Sequence, residues 1–130
     1  MEKIGKVSSI PMDHIRGLLV AQGGRCAITG TPLDPTVSSA DHITPLSRVE
    51  LAPTMDKDNV WVVHKSVNTV KGNMTYDELI EMARKILDHH QRSMSLLQDI
   101  RARRIAPLSK EKFDQWVLEH CNGDGSLKLP

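Results

Sequence analysis

Only two stretches of this chain read as β-strand, residues 37–44 (VSSADHIT) and the apolar run Val60–Val63, and they lie close together in the sequence. A lone two-stranded hairpin is marginal in water and needs helices packed against it. The fold within reach is therefore α+β and mainly helical, with one small two-stranded antiparallel hairpin and additional helices before and after it. The 130 residues and 14.5 kDa suit a single domain, 1–130. A chain of this size buries roughly two-thirds of its unfolded surface, so it needs no disulfide or metal merely to fold.

The helices follow from period and punctuation. Ser8, Ser9 and Pro11 open a first helix that runs to about Gln22, with Ile15, Leu18 and Leu19 on one side, and Gly23–Gly24 ends it. Residues 25–35 (RCAITGTPLDP) form a tight turn between short extended pieces, and Pro45 to Asp58 is a loop. A helix starts near Lys65 and stops near Gly72. Thr75 to Glu78 is a capping box that opens another helix, on which Leu79, Ala83, Ile86, Leu87 and His90 share one face. That helix is expected to stop near His90, with a further piece over roughly 93–105. Ser109 caps a last helix whose buried side is Phe113, Trp116 and Val117. The core then spans about 25–75, a helical extension about 75–120, and the tail 121–130 is expected to fray.

Composition removes several function classes. Apolar residues at 39% and charged residues at 25% are ordinary for a globular protein and argue against disorder. Four aromatic side chains, Trp61, Tyr76, Phe113 and Trp116, are too few for a base-stacking single-strand binder. No apolar run is long enough to span a membrane. Lys3 and Lys6 are followed by no apolar signal region, and Cys26 and Cys121 have no paired spacing. The expectation is a cytoplasmic protein with two reduced thiols.

The net charge of +1 hides an uneven distribution. Residues 84–112 carry eight basic side chains against three acidic ones, whereas the flanking segments are each slightly acidic. Arg84, Lys85, Arg101, Arg103 and Arg104 are the candidates for a phosphate-tracking surface.

The chemistry concentrates between positions 41 and 72: Asp41-His42-Ile-x-Pro45, then Asn59-Val60, then Asn68-x-x-Lys71-Gly72. An Asp-His pair ends one strand, an Asn begins the next, and a second Asn lies on the helix that follows. A hairpin with that helix packed on it can gather Asp41, His42 and Asn68. A carboxylate and an amide oxygen are hard ligands suited to Mg²⁺ or Mn²⁺. A neutral imidazole beside them can accept a proton from attacking water. That combination suits phosphodiester hydrolysis.

DHITPLS and DNVWVVHKSVNTVKG resemble the two motif lines of the HNH endonucleases, the ββα-metal nucleases, and RCAITGTPL resembles the turn that precedes them. The resemblance covers residues 25–72. It implies a ββα-metal core acting on double-stranded DNA with one divalent cation, Mg²⁺ or Mn²⁺. It implies His42 as general base, and Asp41 and Asn68 as metal ligands. Asn59 becomes the brace across the hairpin, and Lys71 the basic residue near the phosphate. Phage DNA processing, restriction and mobile-element activity all use such a core. A monomer or weak dimer that nicks one strand per site is expected, the alternative being a non-catalytic DNA-binding or protein-interaction module on the same scaffold.

One departure stands out. Many HNH relatives hold a structural zinc with two CxxC pairs, and here the four positions read Cys26, Thr29, His64 and Val67. No structural zinc is expected, because a valine and a threonine leave the tetrahedral set incomplete. Hydrophobic packing takes its place, and His64 is expected to be packed or hydrogen-bonded.

Overall fold

The computed structural model describes residues 10–129. Lys3, Lys6, Ser8 and Ser9 lie outside the described residues. The elements in order are α1 (Met12–Ala21), β1 (Ser38–His42), β2 (Val60–His64), α2 (Lys65–Lys71), α3 (Tyr76–Arg101) and α4 (Lys110–His120). Two single 3-10 turns, Val49–Leu51 and Lys57–Asn59, punctuate the loop between the strands. The fold is α+β and mainly helical, with a two-stranded antiparallel hairpin.

β1 and β2 pair with Ser38 opposite His64, Asp41 opposite Trp61 and His42 opposite Val60. Successive side chains alternate across the pleat. One face gives Ala40, Val60 and Val62 to a core with Ile15 of α1, and Ile10, Leu18, Leu19 and Leu33 pack around it. The other face carries Ser39, Asp41, Trp61 and Val63 and lies under α2. Gln22, at the end of α1, acts as a short false strand: its amide donates to the Val62 carbonyl at 2.8 Å and accepts the Val62 N–H at 3.0 Å. That pairing satisfies a backbone edge that two strands alone leave open.

The chain groups into two compact units, one ending at Leu87 and the other beginning at Asp88. Length alone pointed to one domain. The division falls inside α3, and no described residue after Leu79 is buried.

Two local expectations change. α3 is one continuous helix from Tyr76 to Arg101, with no stop near His90, because no glycine or proline interrupts it. Its apolar face is buried only at Leu79, while Ala83, Ile86, Leu87 and His90 are exposed. The Cys26 turn and α2 border this helix only over its first turns, as far as Ala83. On α4, Phe113 and Trp116 are 51% and 41% exposed. Phe113 stacks on Trp116 and Trp116 on His120 along the helix surface, and only Val117 is half-buried.

The tail is also more ordered than its sequence suggests. Cys121 bridges to Leu127, the Lys128 amide donates to the His120 carbonyl at 2.6 Å, and Asp124 accepts from the Ser126 amide and hydroxyl. A turn built on Asn122, Asp124 and Gly125 closes the chain back onto the end of α4.

Candidate functional site

α2 begins directly after β2 and is laid across the hairpin. His64 starts it, its Nδ1 accepting the Ser66 amide at 3.1 Å as an N-cap. Gly72 stops it with a positive φ of 53°, which turns the chain away immediately after Lys71. Within this one short helix Asn68 and Lys71 stand one turn apart and face β1. The Asn68 amide nitrogen donates to Ser39 Oγ at 2.9 Å. Lys71 Nζ reaches Asp41, 3.3 Å from Oδ1 and 3.1 Å from Oδ2, and donates to the His42 carbonyl at 3.0 Å.

Asp41 is only 6% exposed on its side chain and Lys71 is fully buried. A third partner completes the group: Trp61, opposite Asp41 in the register, donates its indole N–H to Oδ2 at 2.8 Å. Lys71 therefore does not extend outward toward a phosphate, as the motif suggested. Its stem is covered and its ammonium is spent on Asp41 and the strand end.

His42 is the last residue of β1. The pleat sets it on the face opposite Asp41, beside Val60, so the two adjacent residues flank the strand end from either side. The imidazole is half-buried, and its Nε2 is buried with no hydrogen-bond partner. Just beyond it the loop is held by Asn59. Asn59 Oδ1 accepts the Thr44 amide at 2.8 Å, and Nδ2 donates to the carbonyls of Thr44 and Thr54, each at 2.9 Å. The Ile43 amide donates to the Asn59 carbonyl at 2.9 Å. His42 is thus fixed between the last strand pair and a clamped loop.

A second clamp lies behind that loop. Arg48 bridges Glu50, the Asn73 carbonyl and both carboxylate oxygens of Glu78. Glu78 also closes the capping box: its carboxylate accepts the Thr75 amide at 2.9 Å and its own amide donates to Thr75 Oγ1 at 3.2 Å. The Arg48 hydrogen bond, followed by that of the Thr75 amide, lowers the Glu78 carboxyl to about 2. A cavity of about 540 Å³ opens here between Ile43, Thr44, Arg48, Tyr76 and Asp77. It lies beside the Asp41 group, which does not line it.

The four positions of the zinc knuckle do come together. Cys26 Sγ accepts the amides of Thr29 at 3.5 Å and His64 at 3.4 Å. Burial works to raise the Cys26 thiol, but the hydrogen bonds from Thr29 and the His64 and Ile28 amides outweigh it and bring it below its ordinary value. Thr29 and Val67 line an apolar cavity of about 390 Å³ with Ile28, Val70, Leu79 and Ile80. Of the four knuckle positions Val67 offers no donor atom, and His64 spends its Nδ1 on the Ser66 amide at the start of α2.

The basic candidates are dispersed. Arg84 and Lys85 are exposed on α3 in the first unit. Arg101, Arg103 and Arg104 belong to the second, where Arg103 takes a left-handed φ of 57° at the end of α3 and Arg104 pairs with Asp99 at 2.9 Å. Ser39 and Trp61, absent from the motif reading, are integral to the Asp41–Asn68 face. Trp61 was legible once the register placed it opposite Asp41.

Asp41 and Asn68 suit a hard divalent cation in donor chemistry: Asp41 lies on the hairpin face under α2, and Asn68 reaches that face from α2 at Ser39. The Asn68 side-chain oxygen takes no hydrogen bond among the described residues. The Asp41 carboxylate, in contrast, already holds an ammonium. The residues fit such an ion on the condition that Lys71 gives way. No protein-family model matches the chain, and no curated protein matches it.

Proposed function

We propose that this protein is a divalent-metal-dependent endonuclease of the HNH type that hydrolyses phosphodiester bonds of double-stranded DNA. The observation that carries the reading is His42. The fold spends hydrogen bonds on Asp41, Asn59, Asn68 and Lys71, yet it leaves one buried imidazole nitrogen without a partner. A buried unsatisfied polar atom costs roughly 1–3 kcal/mol. A histidine with only a packing role has no need to bear that cost. A general base keeps its lone pair for a proton, and its hydrogen bonds often form only when substrate is present.

Each residue then has a task. His42 is the residue assigned to accept the proton of the attacking water, a task that requires DNA binding to open the buried Nε2 to water at the strand end it shares with Asp41. Asn59 keeps the loop behind it from shifting. Asp41 and Asn68 provide the oxygens that hold Mg²⁺ or Mn²⁺, and Trp61 fixes the orientation of the Asp41 carboxylate. When bound, such a cation stabilises charge on the phosphoryl and leaving oxygens. Exposed Arg84, Lys85, Arg101 and Arg103 supply sequence-independent attraction to DNA phosphates. The reading takes the enzyme as cytoplasmic and as a monomer or weak dimer; no helix among the described residues is long and apolar enough to cross a membrane.

The test is cleavage of supercoiled plasmid by the purified chain with Mg²⁺, with Mn²⁺ and with EDTA, the parent beside His42→Ala. Cleavage by the parent in either metal, its loss in EDTA and its loss in His42→Ala are the expected results. DNA binding without cleavage in both metals would replace this reading with that of a non-catalytic DNA-binding module.

A further inference from the structure

Among the described residues Asp41 and Lys71 are the charged side chains that the fold buries. Removing two ions from water is expensive, and an apolar pair of the same volume often serves stability as well or better. The arrangement around the ammonium is more specific than packing requires. Lys71 Nζ sits among three hard oxygens, both of Asp41 and the carbonyl of His42, at 3.0 to 3.3 Å. One helical turn earlier Asn68 addresses the same strand at Ser39. Lys71 thus occupies the place among oxygen donors that a cation would take.

We propose that Lys71 is a built-in substitute for the divalent cation: its ammonium is seated on Asp41 in the metal-free protein, and metal binds by exchange with it. This rests on the nuclease reading above. Two cations a few ångströms apart repel strongly in a shielded site, so ammonium and metal do not share the carboxylate. Trp61 makes the exchange workable, since its N–H holds Oδ2 whether or not Lys71 is present. The exchange requires the flexible four-carbon stem of lysine to swing the ammonium out of its buried seat on Asp41. The device keeps the buried Asp41 charge compensated before metal arrives and sets a threshold for metal loading.

The experiment reads metal binding with no DNA present. Mn²⁺ is titrated calorimetrically into the parent chain, Lys71→Met and Asp41→Asn. Exchange predicts that Lys71→Met binds Mn²⁺ about tenfold more tightly than the parent, since no internal cation has to be displaced. Asp41→Asn should not bind it. Mn²⁺ should also raise the melting temperature of Lys71→Met by more than that of the parent. A merely structural ion pair predicts the same Mn²⁺ affinity in both and a stability loss that Mn²⁺ does not restore. Lys71→Met could fail to fold, so a second measurement uses the parent. The nitrogen-15 signal of the Lys71 ammonium is followed during a Mg²⁺ titration, and it should shift and begin to exchange with solvent in step with Mg²⁺ binding. An unchanged signal while Mg²⁺ binds, or equal Mn²⁺ affinities, overturns the exchange and leaves the nuclease reading standing. No metal binding by any of the proteins, with no plasmid cleavage, overturns both.

Discussion

Asn59 grips the backbone of Thr44 from both sides, accepting its amide at 2.8 Å and donating to its carbonyl at 2.9 Å. The same Nδ2 donates to the Thr54 carbonyl, so one side chain ties Thr44 to Thr54 and closes the loop between them next to His42. Asparagine suits this place because its amide carries an acceptor and two donors in one plane. Neither Asp nor Ala reproduces that set.

Asn59→Ala should therefore destabilise the protein by roughly 1–3 kcal/mol, the cost of leaving buried backbone groups unpaired. Plasmid cleavage should fall roughly 10- to 100-fold, since a base displaced by an ångström loses its alignment. Urea denaturation read beside cleavage rate checks both. A variant as stable as the parent would show that the clamp does not bear on the fold.

His42→Ala should behave in the opposite way. The buried Nε2 makes no hydrogen bond, so its removal forfeits none. Stability should change little, while cleavage falls ~10²–10⁴-fold, the usual cost of a lost general base. A thermal melt and a cleavage time course on one preparation separate the two effects. Parent-rate cleavage by the variant would remove His42 from the reaction.

What the sequence made legible was local. The hairpin, the short helix after it, the stop at Gly72 and the capping box of Thr75 and Glu78 depend on neighbours within a few positions, and all are in place. What it hid was non-local or environmental. A lysine at the end of a helix reads as solvated, and only packing across thirty positions reveals Lys71 on Asp41. Phe113 and Trp116 have the spacing of a buried face, yet nothing among the described residues covers them. The continuous α3 was missed because the polar stretch around His90 looked like a boundary, although its residues tolerate a helix.

Acid should act through Glu78. Its carboxyl lies near 2 in the folded chain, against an ordinary 4.5, because Arg48 and the Thr75 amide favour the charged form. A depressed folded value means that the contribution is complete above 4.5 and is lost as pH falls toward about 2. Glu78→Gln lacks this charge-dependent part. The melting-temperature gap between parent and Glu78→Gln should be constant above that window and shrink within it. A gap that does not change with acidification would show that the Arg48–Glu78 pair adds nothing to stability.

The product of cleavage follows from the size of the site. One His42 and one Asp41–Asn68 face address one scissile phosphate, so each site cuts one strand per event. A duplex break needs two sites across the helix, supplied as a rule by a symmetric pair of chains. For a monomer or weak dimer, supercoiled plasmid should pass first to the open-circle form, with 5′-phosphate and 3′-hydroxyl ends. Linear product should appear late, from independent nicks that happen to lie close together. A time course on agarose, repeated over a range of protein concentrations, decides the matter. Linear DNA at the earliest times with no open-circle intermediate would show that two sites act together, and the exposed apolar side chains Leu97, Ile100, Phe113 and Trp116 would be the first place to look for the contact between chains.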